Sequence, residues 1–368
     1  MERARSRAAE LIRAGHDTPS FAERLAALLQ PLVPHSAACV VTIDPATRLV
    51  TGTYKFGSLA GNHDLDSDWA QLEYSTDDPT QMIAIGQQEL PAAATSHLPG
   101  GVDDSVRVRT LIRPAGYGDE LRMVARHDGA CWGGVNLFRA VDEPPFSHEE
   151  VLLLADLSEA VAVGLQAGLV ARLADAVPGH STGPAVLIVD GGSGTQRVSA
   201  GTSELLLELT DEANRSPLES LVHGLASAAR HYARGDTSVL PRARLRSPSG
   251  RWLVASAAPL AAPEGDTGEV VVTVDEARPP EIMPLLSAAF GLTAREREVT
   301  QLVLRGAATK AIANELSMSA YTVQDHLKSI FDKADVRSRR ELVARVFFDQ
   351  YAPRFSEEIA PTGWFASS

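Results

Sequence analysis

Residues 292–346, LTAREREVTQLVLRGAATKAIANELSMSAYTVQDHLKSIFDKADVRSRRELVARV, constrain this chain more than any other stretch, because four helix starts are packed into fewer than sixty residues. Thr293 with Glu296 and Ser338 with Glu341 have capping-box spacing, in which each partner satisfies an orphan amide of the other. Ser319 is a plain cap with Thr322 at the third position. A second helix is expected from about Thr309 to Leu316, and Ser317, Met318 and Ser319 then supply the tight turn between crossing helices. Gly306 suits a left-handed helix end. The spacing predicts a four-helix unit containing a helix-turn-helix.

On the third helix, Val323, Leu327, Ile330 and Ala334 fall on one stripe with Phe331 at its margin, so that stripe must face the core. Tyr321, Gln324, Asp325, Lys328 and Asp332 are left on the opposite side. In a helix-turn-helix the N-terminal end of this helix enters the major groove of double-stranded DNA. Gln324 has the chemistry to pair with adenine, Asp325 to accept from cytosine, and Lys328 to reach guanine or phosphate. Phosphate contacts are expected from Thr309 and Lys310, from Ser319 and Thr322, and from Arg337, Arg339 and Arg340. His326 lies beside the apolar stripe and reads as a structural residue or a phosphate contact rather than a catalytic one.

These residues resemble the LuxR-type (NarL-like) helix-turn-helix along its whole length. The family's third helix usually reads Thr-Val-Lys-x-His; Thr322, Val323 and His326 match, and Gln324 stands in place of the lysine. The resemblance implies dimers on two half-sites, and the departure at Gln324 implies a different base preference. Ala308 and Thr309 also stand where the family often has Ser-Asn.

Charge supports the division of labour. The chain carries a net −13, yet residues 291–350 have ten Lys and Arg against eight Asp and Glu. The acidity therefore belongs to the part before residue 291. At 368 residues, with 44% hydrophobic and 22% charged, the chain calls for two or three domains of ordinary globular type. Cys39 and Cys131 are too few for a disulfide framework and have no zinc-ligand spacing, so a reducing cytoplasm is expected. The apolar run from 151 to 177 is interrupted by Asp156, Glu159, Gln166 and Arg172, and no membrane span is expected.

Before the helix-turn-helix the pattern is α+β. Ser20 and Glu23 predict a capped amphipathic helix in residues 17–33, with strands at 37–43 and 48–56. Residues 57–104 show weak periodicity and no structure is assigned there. Strands follow at 109–115, 119–126 and 130–139. Ser147 and Glu150, with Phe146 stapled against Val151, then start a helix expected to reach about Ala176. This order, with Trp132-Gly133-Gly134 leading through Pro144 and Pro145 into the Ser147 helix, resembles a GAF sensor domain. The resemblance implies a pocket without naming its ligand, and there is no cyclic-nucleotide signature. Cys131 reads as a small strand residue, with a chromophore or redox site as the alternative, and His127 and His148 read as turn and helix-start residues.

Residues 178–183 read as a hinge. Strand 184–192, an amphipathic segment at 203–209, a helix at about 218–232, and strands at 242–247, 251–260 and 268–277 resemble a compact PAS domain, the alternative being a module that only connects and dimerises. Pro279, Pro280 and Pro284 mark a boundary. The expected architecture is thus multidomain: a GAF-like domain over 1–177, a PAS-like domain over 184–278, an all-α unit over 285–350, and a tail over 351–368.

The expected function is a sequence-specific regulator of transcription, a homodimer controlled by a small molecule or partner acting on the GAF-like and PAS-like parts. Two helices offer a dimer face: the fourth, through Leu342, Val343, Val346 and Phe347, and the long one, through Leu154, Leu157, Val161, Leu165 and Leu169. One alternative is a constitutive DNA-binding dimer whose N-terminal domains are only structural. Another, an enzyme fused to a DNA-binding module, is disfavoured: no nucleophile elbow, P-loop, dinucleotide fingerprint or HExxH occurs, and GGSGTQ at 191–196 reads as a turn. No cofactor or metal is expected.

Overall fold

A computed structural model describes residues 2–348 apart from 63, 76–77, 101–102, 104, 172–183, 191–195, 200–205, 207–208, 210–216, 248–249 and 263–264. The expected hinge, most of the 203–209 segment, the end of the long helix and the tail lie outside these. The chain divides into two compact units, a larger one holding two sheets and a smaller one holding the helices after Ala277.

The larger unit opens with helices α1 (Glu2–Arg13) and α2 (Thr18–Leu29), then strands β1 (Ala37–Ile43) and β2 (Val50–Gly57). Asp17, not Ser20, caps α2, its carboxylate accepting from Ser20 N at 3.0 Å, so the helix begins a turn earlier than the sequence spacing suggests. The span left unassigned contains helices α3 (Asp66–Ser75) and α4 (Met82–Gly86) and the short strand β3 (Ala92–Ala94). With β4 (Tyr117–His127) and β5 (Ala130–Ala140) these strands form an antiparallel sheet of order β2-β1-β5-β4-β3.

The strand expected at 109–115 is instead a helical turn, Val108–Ile112. Ser105 Oγ accepts from Val108 N at 3.1 Å in the manner of a helix cap, and Asp78 accepts from both Ser105 Oγ and Arg107 N. Fully buried Arg107 pairs with Glu120 of β4 and donates to Thr80 Oγ1. Polar anchoring of residues 105–107 thus overrides the β-favouring Thr110-Leu111-Ile112 run, and β3 takes the edge of the sheet.

Ser147 and Glu150 form the expected capping box at α5 (His148–Asp156), which a 43° bend separates from α6 (Ser158–Leu169). Leu154, Leu157, Val161 and Leu165 are no more than 2% exposed. That stripe is core against the sheet, which removes it as a dimer face. Among the described residues no single helix is long and apolar enough to cross a membrane.

The second sheet combines β6 (Ala185–Val189), β7 (Gln196–Val198), β8 (Arg242–Arg246), β9 (Trp252–Ala262) and β10 (Gly265–Glu276) in the order β7-β6-β10-β9-β8. Position for position this repeats the strand order of the first sheet. Helix α7 (Pro217–Arg234) covers it, burying Leu221, Val222, Leu225, Ala226 and Ala229 at a helical period. Within this unit Asp44, after β1, accepts three hydrogen bonds from Arg244 of β8, at 2.6, 2.8 and 2.9 Å.

In the smaller unit the expected proline boundary is a helix start. Pro279 and Pro280 occupy the first turn of α8 (Pro279–Ala289), where a missing amide costs nothing. Helices α9 (Ala294–Leu304), α10 (Thr309–Glu315), α11 (Ala320–Lys333) and α12 (Arg339–Val343) follow, α12 continuing into a wider turn, Ala344–Phe348.

Candidate nucleic-acid interface and an interior cavity

Three of the four helix starts carry a side-chain cap; the second, at Thr309, follows Ala308 and has none. Thr293 Oγ1 accepts from Glu296 N at 3.3 Å while Glu296 accepts from Thr293 N at 2.7 Å, closing a full box. Ser319 caps α11 at 3.0 Å from Thr322 N. At α12, Ser338 caps Glu341 N, but the Glu341 carboxylate turns to Arg337 N at 2.8 Å, so half of the expected box forms. Gly306 has φ +80°, and Ser317 (φ +53°) turns the chain between α10 and α11.

Val323, Leu327, Ile330 and Ala334 are at most 2% exposed and seat α11 on Val299, Leu302 and Val303 of α9 and Ile312 and Ala313 of α10. Tyr321, 77% exposed, stands with exposed Gln324, Asp325 and Lys328 on the other side of α11. Ser319 and Thr322 at its start are exposed too. Glu296 fixes the far end. Its Oε1 accepts from Ser329 Oγ at 2.6 Å and its Oε2 from Lys333 Nζ at 2.7 Å. Burial alone would raise this carboxyl's pKa, but the hydrogen bonds from Lys333, Ser329 and Thr293 outweigh it and hold it at about 2.

The expected phosphate ligands divide into two groups. Lys310, Arg337 and Arg340 are exposed. Arg339 is half-buried and donates to Ala307 O at 2.7 Å and to Thr309 Oγ1 at 2.9 Å, fastening the start of α12 to the turn before α10. Arg339 and Thr309 are therefore partners of each other, which sequence spacing did not reveal. The Glu296 tie to Ser329 and Lys333 was equally hidden, because capping alone explains a glutamate at that position. On α12, Leu342 and Val346 are buried, so that apolar face belongs largely to the unit's own core.

The larger unit holds a cavity of about 460 Å³ on one face of the first sheet, roofed by α3 and open to solvent on one side, where Ser58, Asn62 and Gly116 are exposed. Sequence pattern alone does not reveal it, because α3 lies in the segment of weak periodicity. The face pattern of α3 is nonetheless helical: Asp66, Trp69, Ala70 and Glu73 recur at three and four residues and all line the cavity. Trp69 meets Phe138 of β5 edge to face, ring centroids 5.5 Å apart. Gly134 leaves room for Met82 at one wall: a Cβ there would lie 2.5 Å from Met82 Cε. Cys39 lines the cavity, and burial pushes its thiol up to about 12; burial likewise raises Cys131, to about 11. Neither is a thiolate at neutral pH. No group of three metal-ligating side chains occurs among the described residues.

A buried three-helix seat, a tight turn and a side-chain-rich outer helix face define a helix-turn-helix protein. The family model for bacterial regulatory proteins of the luxR family matches residues 291–346. The spore germination protein GerE of Bacillus subtilis is 40% identical over 55 residues, 15% of this chain and 74% of its own length. The monoamine regulon transcriptional regulator of Klebsiella aerogenes is 48% identical over 56 residues, 15% of this chain but only 25% of its own length. The chain belongs to the luxR family of bacterial regulatory proteins. A solved structure of SdiA in complex with octanoyl-rac-glycerol aligns over 95% of this chain and 96% of its own, at 11% identity and a TM-score of 0.31, too distant to carry an argument.

Proposed function

We propose that this chain is a sequence-specific DNA-binding regulator of transcription, acting as a homodimer, whose GAF-like and PAS-like parts respond to a small molecule held in the cavity beneath α3. The observation that carries the DNA reading is the exposed row Tyr321, Gln324, Asp325 and Lys328 on α11, held by buried packing on one side and by Glu296 at its end. Gln324, Asp325 and Lys328 read base edges; Ser319, Thr322, Lys310, Arg337 and Arg340 bind phosphates. Thr309 and Arg339 act together, positioning the start of α10 and α12. Two acceptor-bearing side chains at the reading face and a nearly balanced charge make a single copy a weak binder, which is why a dimer on paired half-sites is part of the reading. The family relatives support the regulatory role; the cavity supports control by a ligand.

Repeated selection of genomic fragments by the full chain tests the DNA reading. Convergence on a shared sequence is expected, and fragments retained in proportion to length alone contradict it.

A further inference from the structure

The cavity floor is a polar row laid straight across four strands. Cross-strand pairing puts Lys55 of β2 beside Cys39 of β1, Cys39 beside Asn136 of β5, and Asn136 beside Arg122 of β4. All four line the cavity. The roof helix α3 closes both ends of this row, seven residues apart: Asp66 pairs with Lys55, and Glu73 takes Arg122 Nη2 at 2.9 Å. Glu73 is occupied further by Met82 N at 2.6 Å. Among the described residues these four are the only charged ones that line the cavity, two of each sign. The protonated thiol of Cys39 adds nothing. An anionic or cationic guest would meet lining charges that already balance one another in two ion pairs and would compete with them, whereas an uncharged one disturbs neither pair.

The centre of the row differs from its ends. Asn136 is 4% exposed, and its Oδ1 accepts from Arg122 Nε at 3.1 Å, which fixes the orientation of the amide. Its Nδ2 donor has no partner among the described residues. Around it the walls are apolar: Val41, Leu59, Trp69, Met82 and Phe138. A donor of a largely buried residue, open to the pocket in such surroundings, is placed to take an acceptor from the guest.

Building on the ligand-responsive reading proposed above, we infer that the cavity takes an uncharged, largely apolar small molecule bearing a hydrogen-bond acceptor such as a carbonyl, which Asn136 Nδ2 binds between the Lys55–Asp66 and Arg122–Glu73 pairs. Two ends closed by ion pairs and the Asn136 donor between them, at the centre of the row, set both the ligand's neutrality and the place of its acceptor.

Three fluorescent probes added to the full chain test this: the neutral naphthyl ketone prodan, its analogue with a carboxylate in place of the propionyl group, and the parent dimethylaminonaphthalene without the ketone. Prodan is expected to bind one to one with blue-shifted emission, and the carboxylate at least about tenfold more weakly. Asn136→Asp keeps the acceptor for Arg122 and loses the donor. It is expected to weaken prodan about tenfold relative to its effect on the ketone-free parent. Comparable affinities for ketone and carboxylate in the unaltered chain overturn the ligand class while leaving a binding cavity; this arm needs no variant to fold. Equal effects of Asn136→Asp on ketone and parent overturn the role of Nδ2. Binding of none of the three overturns the cavity reading itself, and the inference with it.

Discussion

Lys333, in the last turn of α11, lies 2.7 Å from the carboxylate of Glu296 in the first turn of α9, and the same carboxylate takes Ser329 Oγ at 2.6 Å. One glutamate therefore caps its own helix and pins the helix that carries the exposed row Tyr321, Gln324, Asp325 and Lys328. Glu296→Ala is expected to cost the smaller unit about 2 to 3 kcal/mol in urea unfolding, as charge-assisted hydrogen bonds to a buried group are removed. A cost under about 0.5 kcal/mol would mean that α11 is held by apolar packing alone.

The same carboxylate sets a pH dependence. Its pKa falls from an ordinary 4.5 to about 2 on folding, so the stabilisation is present in full above about pH 4.5 and is lost as the pH drops toward 2. Glu296→Gln should remove that part of the slope. Unfolding midpoints recorded between about pH 5 and about pH 2 check this; parallel curves for the two proteins would contradict it.

Arg339 and Lys310 should separate cleanly. Arg339→Ala removes the hydrogen bonds to Ala307 O and Thr309 Oγ1, and a lower Tm is expected, with a destabilisation of about 1.5 to 3 kcal/mol. Lys310→Ala should leave Tm unchanged and reduce the slope of log Kd against log salt by about 0.9 for each phosphate no longer neutralised. Unchanged salt slopes for Lys310→Ala, Arg337→Ala and Arg340→Ala together would remove the phosphate assignments.

Asp44, just after β1, and Arg244 of β8 link the two sheets within the larger unit through three hydrogen bonds. Asp44→Ala takes a charged partner from a guanidinium only 12% exposed, and a destabilisation of about 3 kcal/mol is expected. Differential scanning calorimetry should show the larger unit's transition moving to lower temperature and broadening as its two sheets lose cooperativity. An unshifted transition would show that the pair contributes no coupling.

The smaller unit was largely legible because its information is local: caps at Thr293 and Ser319, the Gly306 end and the Val323 to Ala334 stripe all act within a few residues. Four strands of the second sheet were legible through their alternation, and its helix through the α7 period; the three-residue edge strand β7 was not, since Gln196 reads as the end of a turn. What escaped is held by distant partners. Residues 105–112 alternate like a strand, yet Arg107 is captured by Glu120 and Asp78, and a helical turn results. Helix α3 escaped because its inward face is charged as well as apolar, and Asp66 and Glu73 pair with Lys55 and Arg122 of distant strands. The Leu154 to Leu165 stripe was visible, but periodicity does not distinguish a dimer seam from a core face. Arg339 shows the same limit at the candidate site: its type suggests a phosphate ligand, and only the fold reveals Thr309 beside it.

Base preference at α11 tests the central claim most directly. The full chain and its Gln324→Ala variant are to be compared on the selected duplex and on duplexes substituted one base pair at a time. The account predicts that the variant binds the preferred duplex more weakly by about 1 to 3 kcal/mol and that discrimination disappears at one position per half-site, the others being kept. An equal weakening on every duplex, or none on any, would contradict the assignment of α11 as the reading helix.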